Sequence, residues 1–305
     1  TTADITPKPV TLNWGTTSFT YDGTEKSVPI TAPDGLTAGT DYTVAYVNEK
    51  GEPVTPINAG TYTIQLTLTN TNYSSDGPIN LGTLKINKAT LLAENFTFSP
   101  AQNLTYNGES KEATVKFNDK DGTLTGIGTI KVKYLKDGES TWSENAPTNA
   151  GNYKVCIDVS DDGQNFVGQT ALTTESWKFT ISQASLSSSD FTFDPQSVEY
   201  DKTAKSVTAK CSKNDYDGEI KVAYYSDAQY TNKVDPENVK DAGDYYIKII
   251  AGNAQNYTGL EIGDKQNPLK FTITQKALTD ESFTPNSDSS QDLTYDSSAK
   301  TATST

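Results

Sequence analysis

The sequence predicts an all-β chain of tandem immunoglobulin-like β-sandwich modules laid out as an elongated array. Three observations predict it. One short stretch occurs three times: Asn58-Ala59-Gly60-Thr61-Tyr62, Asn149-Ala150-Gly151-Asn152-Tyr153 and Asp241-Ala242-Gly243-Asp244-Tyr245. Each copy leads into apolar residues at every second position, Ile64, Leu66 and Leu68, then Val155, Ile157 and Val159, then Ile247 and Ile249. Period two marks a half-buried strand. Gly, Pro, Asn and Asp interrupt these runs at short intervals and Thr is abundant, which leaves no pattern for a sizeable helix.

The small-Gly-x-Tyr step resembles the tyrosine corner at the E–F bend of such sandwiches. Gly permits a tight bend there, and the Tyr hydroxyl bonds back to the backbone while its ring seals the core. Tyr62, Tyr153 and Tyr245 are therefore expected to be buried, each bonded to backbone a few residues upstream.

The elements recur in order. The first module runs from Trp14 through Phe19-Thr20-Tyr21-Asp22-Gly23-Thr24 and Tyr42-Thr43-Val44-Ala45-Tyr46 to the Asn58 corner, Asn72-Tyr73 and Leu84-Lys85-Ile86. The second gives Phe98, Tyr106-Asn107-Gly108, Ile130-Lys131-Val132-Lys133-Tyr134, the Asn149 corner, Asn165-Phe166 and Trp177-Lys178-Phe179. The third gives Phe193, Tyr200-Asp201-Lys202-Thr203, Ile220-Lys221-Val222-Ala223-Tyr224, the Asp241 corner, Asn256-Tyr257 and Leu269-Lys270-Phe271. Tyr21, Tyr106, Tyr200 and Tyr295 are 85, 94 and 95 positions apart, the period of a sandwich domain of about 100 residues. The expected modules are 1–88, 89–183 and 184–276, with 277–305 the truncated start of a fourth. That remnant, with Phe283 and Tyr295, is too small to hold a core and is expected to add strands to an exposed sheet edge. The joints at Lys88-Ala89, Gln183-Ala184 and Lys276-Ala277 carry no Pro/Gly/Ser-rich spacer, so little bending and a rod are expected.

The composition narrows the partners. With 25 basic and 39 acidic residues and a net charge of −14, the chain offers no basic face for nucleic acid or anionic lipid. No apolar run approaches the roughly 20 residues of a membrane span. Only 34% of residues are hydrophobic, so 17 Tyr and 10 Phe must fill the cores, which suits several small sandwiches. The sequence begins without Met or a signal-peptide pattern and reads as an excised piece of a longer protein.

Tyr21-Asp22-Gly23-Thr24, Lys26-Ser27-Val28, Asn58-Ala59-Gly60-Thr61-Tyr62-Thr63-Ile64, Asn72-Tyr73 and Leu84-Lys85-Ile86-Asn87-Lys88-Ala89 together resemble the MBG-type repeat of bacterial surface proteins. The second module drifts to Tyr106-Asn107-Gly108-Glu109, and the third places Lys202 where the others have Gly. The resemblance implies an Ig-like fold, a place in tandem arrays on secreted or cell-wall proteins, and no catalytic residues to carry over.

The chain is read as non-catalytic. It has no His, which removes Ser-His-Asp and Cys-His catalysis and the usual zinc sites. No phosphate-cradling Gly-rich loop is present, and no cofactor is expected. The carboxylates lie mostly in turns rather than in a pattern that suggests an acid–base pair. Two acidic loops are the candidates for a metal, with Asp119 and Asp121 in one and Asp215 and Asp217 in the other, since clustered oxygens suit calcium. A Lys inside the first loop, and no Glu closing either, favour ordinary turn chemistry.

Cys211 is in phase with Val207 and Ala209 and is expected in the core of the third module, whereas Cys156 is out of phase with Val155 and Ile157 and is expected on the outer face. The two are not expected to bridge. Trp14, Phe98 and Phe193 hold equivalent places, Trp177 shares phase with Phe179, and Trp142 aligns with Val234, so the aromatics read as core material rather than a sugar platform. The function read from the sequence is a stalk or spacer of a bacterial surface protein or adhesin, extracellular and at the cell surface. It would project a distal domain. Two alternatives stay open: direct binding of host glycan or protein by the repeats, and an accessory region of a secreted carbohydrate-active enzyme.

Overall fold

The computed structural model describes residues 13–14, 17–31, 35–73, 75, 77–119, 122–279 and 282. The tail that carries Phe283 and Tyr295, and with it the expected edge pairing, lies outside the described residues. All the regular structure among them is β, apart from short 3-10 turns. The chain forms two compact units, Thr1–Ser182 and Gln183–Thr305.

The first unit holds two sheets of one plan. In the first repeat the strand order is Ser18–Thr20, Ile79–Asn87, Gly60–Leu68, Tyr42–Val47. In the second, Gly151–Val159 is flanked by Ile130–Lys136 on one side and by Gln169–Leu172 and Lys178–Ile181 on the other. A second layer there is the hairpin of Phe96–Ser99 and Thr114–Phe117. The second unit repeats this plan. Its large sheet runs Ser197–Glu199, Leu269–Thr274, Gly243–Ala251, Ile220–Tyr225 and Lys233–Val234, with Leu260–Ile262 also on Gly243–Ala251. Phe191–Asp194 pairs with Thr208–Cys211 in the smaller layer. The core lies between the layers, where Val207 and Phe193 meet Tyr224, Ile247, Phe271 and Ile273.

Each corner tyrosine sits as its motif predicts. Tyr62, Tyr153 and Tyr245 are buried, and each hydroxyl donates to the carbonyl four residues back, Asn58 at 2.6 Å, Asn149 at 2.8 Å and Asp241 at 3.1 Å. Each stands opposite a residue of the closing strand, Leu84, Phe179 or Phe271. A second tyrosine completes the plan. Tyr46, Tyr134 and Tyr224 are register partners of Ile64, Val155 and Ile247, and their hydroxyls accept the N–H of Val28, Ala113 and Val207. This ties the opening segment of each repeat, which forms few ladder bonds of its own, to the sheet.

Three expectations need correction. Cys156 does lie out of phase with Val155, but it is fully buried. Its register partner Lys133 reaches along the strand to pair with Asp158, which lays the lysine stem over the thiol. Cys211 keeps its phase yet is only partly buried, because it stands opposite Phe191 at one end of a two-stranded layer. Trp142 falls one residue out of alignment with Val234: Tyr134 pairs with Ser143 where Tyr224 pairs with Val234. Trp177 is buried as expected and stacks on Phe98 at a centroid distance of 6.0 Å.

Candidate functional site: the joint of the first two repeats

An organised polar site lies inside the first unit, where the second repeat meets the corner of the first. Its centre is Asn165, which is 0% exposed. The segment Phe166–Val167 pairs in parallel with Ala89–Thr90, and the Asn165 carbonyl accepts the Ala89 N–H at 2.9 Å. This fixes the backbone so that the side chain points at the first repeat. The Asn165 amide nitrogen donates to Asn58 Oδ1 and to the Thr125 carbonyl, both at 2.9 Å. Its Oδ1 accepts the Ala59 N–H at 2.8 Å. Both donors and one acceptor site of a buried amide are thus matched.

The loop that supplies Thr125 also meets Tyr21. The Tyr21 hydroxyl accepts the Thr125 N–H at 2.9 Å and donates to the Thr123 carbonyl at 3.4 Å. Tyr21 is 3% exposed, and its ring stands edge-on to Phe166 at 5.4 Å. Two glycines are needed for this approach. A Cβ on Gly126 would lie 2.8 Å from the Asn165 amide nitrogen, and one on Gly23 would lie 3.0 Å from the Thr123 oxygen. Both also have positive φ, 71° and 79°. At the rim, Lys88 pairs with Asp161 at 3.2 Å. The Gly168 N–H and then this lysine hold the Asp161 carboxyl below its ordinary range.

The acidic loops take part as turns and braces. Asp119 Oδ1 accepts the N–H groups of Thr123 and Leu124 at 3.1 and 3.2 Å, so it shapes the loop that Tyr21 grips. Asp121 lies outside the described residues. Asp215 Oδ1 accepts the Tyr257 hydroxyl at 2.9 Å and Asp217 Oδ1 the Gln255 N–H at 3.2 Å. Among the described residues no three His, Cys, Asp or Glu side chains gather as a metal site. The importance of Asn165 was not read from the sequence, although the recurrence of an Asn-aromatic pair in every repeat was visible there.

Tandem β-sandwich repeats joined by a buried polar contact define the class of this chain. A family model for the MBG domain matches residues 9–90 and 101–185, more than half of its length. The chain belongs to the MBG domain family. Among solved structures, the FN1–FN3 domains of chicken CNTN1 match at 13% identity and a TM-score of 0.24, covering 88% of this chain and 99% of that one. A search of curated proteins finds no match. No helix among the described residues is long and apolar enough to cross a membrane.

Proposed function

We propose that the chain is a non-catalytic spacer of a bacterial surface protein, extracellular, with repeats at 1–88, 89–183 and 184–276 and the start of a fourth at 277–305. In this reading it holds a distal functional region away from the cell. The observation that carries the reading is the Asn165 joint. A buried amide bonded to the corner, and a tyrosine gripping the next repeat's loop, limit bending between neighbours, which is what a spacer requires. The corner positions of the first repeat are used up by this contact rather than left open as a binding surface. The surface is acidic, with a net charge of −14, which suits solubility and discourages adsorption to anionic surfaces. The test is to probe the 305-residue chain on arrays of host glycans and matrix proteins. A spacer gives no saturable binding. Saturable binding lost on mutation of a surface residue in one repeat would favour an adhesive role instead.

A further inference from the structure

The third repeat ends in the same face that the first repeat uses to hold the second. Tyr200 takes the place of Tyr21: its N–H donates to the Thr274 carbonyl at 2.9 Å, as the Tyr21 N–H does to Asn87 at 2.9 Å. Asp241 and Ala242 take the places of Asn58 and Ala59, two residues and one residue before the corner glycine, and the Asp241 carbonyl accepts its corner tyrosine as the Asn58 carbonyl does. The first-repeat face is covered, and Tyr21 is 3% exposed. On the third repeat Tyr200 is only partly buried, and Asp241 and Ala242 are exposed. With Lys202, Lys276 and Leu278 they border a groove of about 700 Å³. Leu278 is 70% exposed, whereas Leu91 and Leu186, the apolar residues just after the other two joints, are 1% and 7% exposed.

We infer that this face is a socket for the Asn-aromatic tip of a further MBG repeat that follows in line. The chemistry of each partner is retained. Asn58 serves Asn165 only as an acceptor through Oδ1, and the Asp241 carboxylate offers the same. Ala242 has a backbone N–H for the incoming amide oxygen, and Tyr200 has the hydroxyl. Lys202 adds a restriction. It has φ 72°, close to the 79° of Gly23, so its Cβ occupies the place that at Gly23 lies 3.0 Å from the Thr123 oxygen. The socket therefore disfavours a repeat with the long 118–129 loop of the second repeat relative to one with the shorter loop found at 212–219 in the third. Asn256 of the third repeat is presented as Asn165 is, with its carbonyl accepting the Ala184 N–H at 2.9 Å. The inference concerns recognition between repeats and does not depend on the spacer reading.

The test extends the chain after Gln275, which stands where Lys88 and Gln183 stand in the other repeats. One version appends a copy of residues 184–275, the other a copy of residues 89–183. Hydrogen exchange is then followed at the Ala242 amide. With the short-loop copy, exchange should slow by about tenfold or more relative to the 305-residue chain, and Asn256→Ala in the appended copy should abolish the effect. With the long-loop copy, protection should be weaker and should be restored by Lys202→Gly, which also supplies the reading if the short-loop copy does not fold. Unchanged exchange at Ala242 in both the short-loop chain and the Lys202→Gly long-loop chain would overturn the inference. Equal protection by both copies without Lys202→Gly would overturn the selectivity. Protection already present in the 305-residue chain would mean that its own last residues fill the groove, and would overturn it as well.

Discussion

Asn165 donates its amide to Asn58 Oδ1 at 2.9 Å across 107 positions of the chain, and both belong to motifs that recur in the repeats. The carbonyl of Asn58 itself accepts the corner tyrosine Tyr62, so the same residue closes one sandwich and receives the next. Replacing Asn165 by Ala leaves the Ala59 N–H and the Thr125 carbonyl without partners at a buried site. The expected loss is about 2–3 kcal/mol, read by urea unfolding of the first unit. Because Tyr62 bonds the Asn58 carbonyl, Tyr62→Phe and Asn165→Ala should be non-additive by more than about 0.5 kcal/mol. Tyr245→Phe, whose hydroxyl bonds Asp241 instead, should add simply. Strict additivity for the Tyr62 pair would show that corner and joint are separate.

Gly23→Ala imposes two costs, positive φ on a residue with Cβ and a close approach to the Thr123 oxygen at 3.0 Å. The expected destabilisation is about 2–3 kcal/mol by denaturant unfolding. Lys202→Ala keeps a conformation that the third repeat already accommodates with a side chain, at φ 72°, and should change stability by less than about 0.5 kcal/mol. Equal effects at the two sites would remove the close approach from the explanation.

Asp22 accepts bonds from Lys26 and Thr24 in the turn after Tyr21, and these lower its carboxyl from 3.8 to about 2, Lys26 being the larger cause. A folded-state value below the unfolded one contributes stability above pH 3.8, and that contribution is lost as pH falls through about 2. The carboxylate is largely exposed, so the contribution is modest. Asp22→Asn should flatten this part of the stability–pH curve between pH 4 and 2, as followed by urea midpoints. An unchanged curve would show that the turn's ionic contact does not stabilise the fold.

The two thiols should differ sharply in reactivity. Burial, and next the nearby Asp158, push Cys156 up from 9.0 to about 11. At pH 8 iodoacetamide should modify the partly exposed Cys211 first and Cys156 only on unfolding, as read by peptide mass spectrometry. Since the Cys156 value is raised on folding, the stability linked to its proton is present below pH 9.0 and is lost as pH rises towards 11. Cys156→Ala should remove that slope. Equal labelling of both thiols at pH 8 would contradict the burial of Cys156.

What the sequence revealed and what it hid follow from the range of the interactions. The corner tyrosines were legible because Gly60, Tyr62 and the alternation of Ile64 and Leu66 are local, and local pattern sets strand phase. The partial exposure of Cys211 and the burial of Cys156 were not, because they depend on which residue stands opposite: Phe191 at a layer's end in one case, Lys133 reaching to Asp158 in the other. Asp119 bonds the backbone of its own loop, a local contact, but its effect on the Tyr21 contact needs a partner a hundred positions away. The joint was hidden for the same reason. Asn165 and Asn58 were each visible as recurring residues, and nothing in their spacing says that they meet.

The buried Asn165 contact is expected to hold the first two repeats as a single body. Backbone ¹⁵N relaxation in the 305-residue chain tests it directly, by comparing the rotational diffusion of amides in 17–88 with those in 89–182. One shared diffusion tensor, split into two by Asn165→Ala with both repeats still folded, is the result predicted. Two independent tensors in the unmodified chain would contradict it.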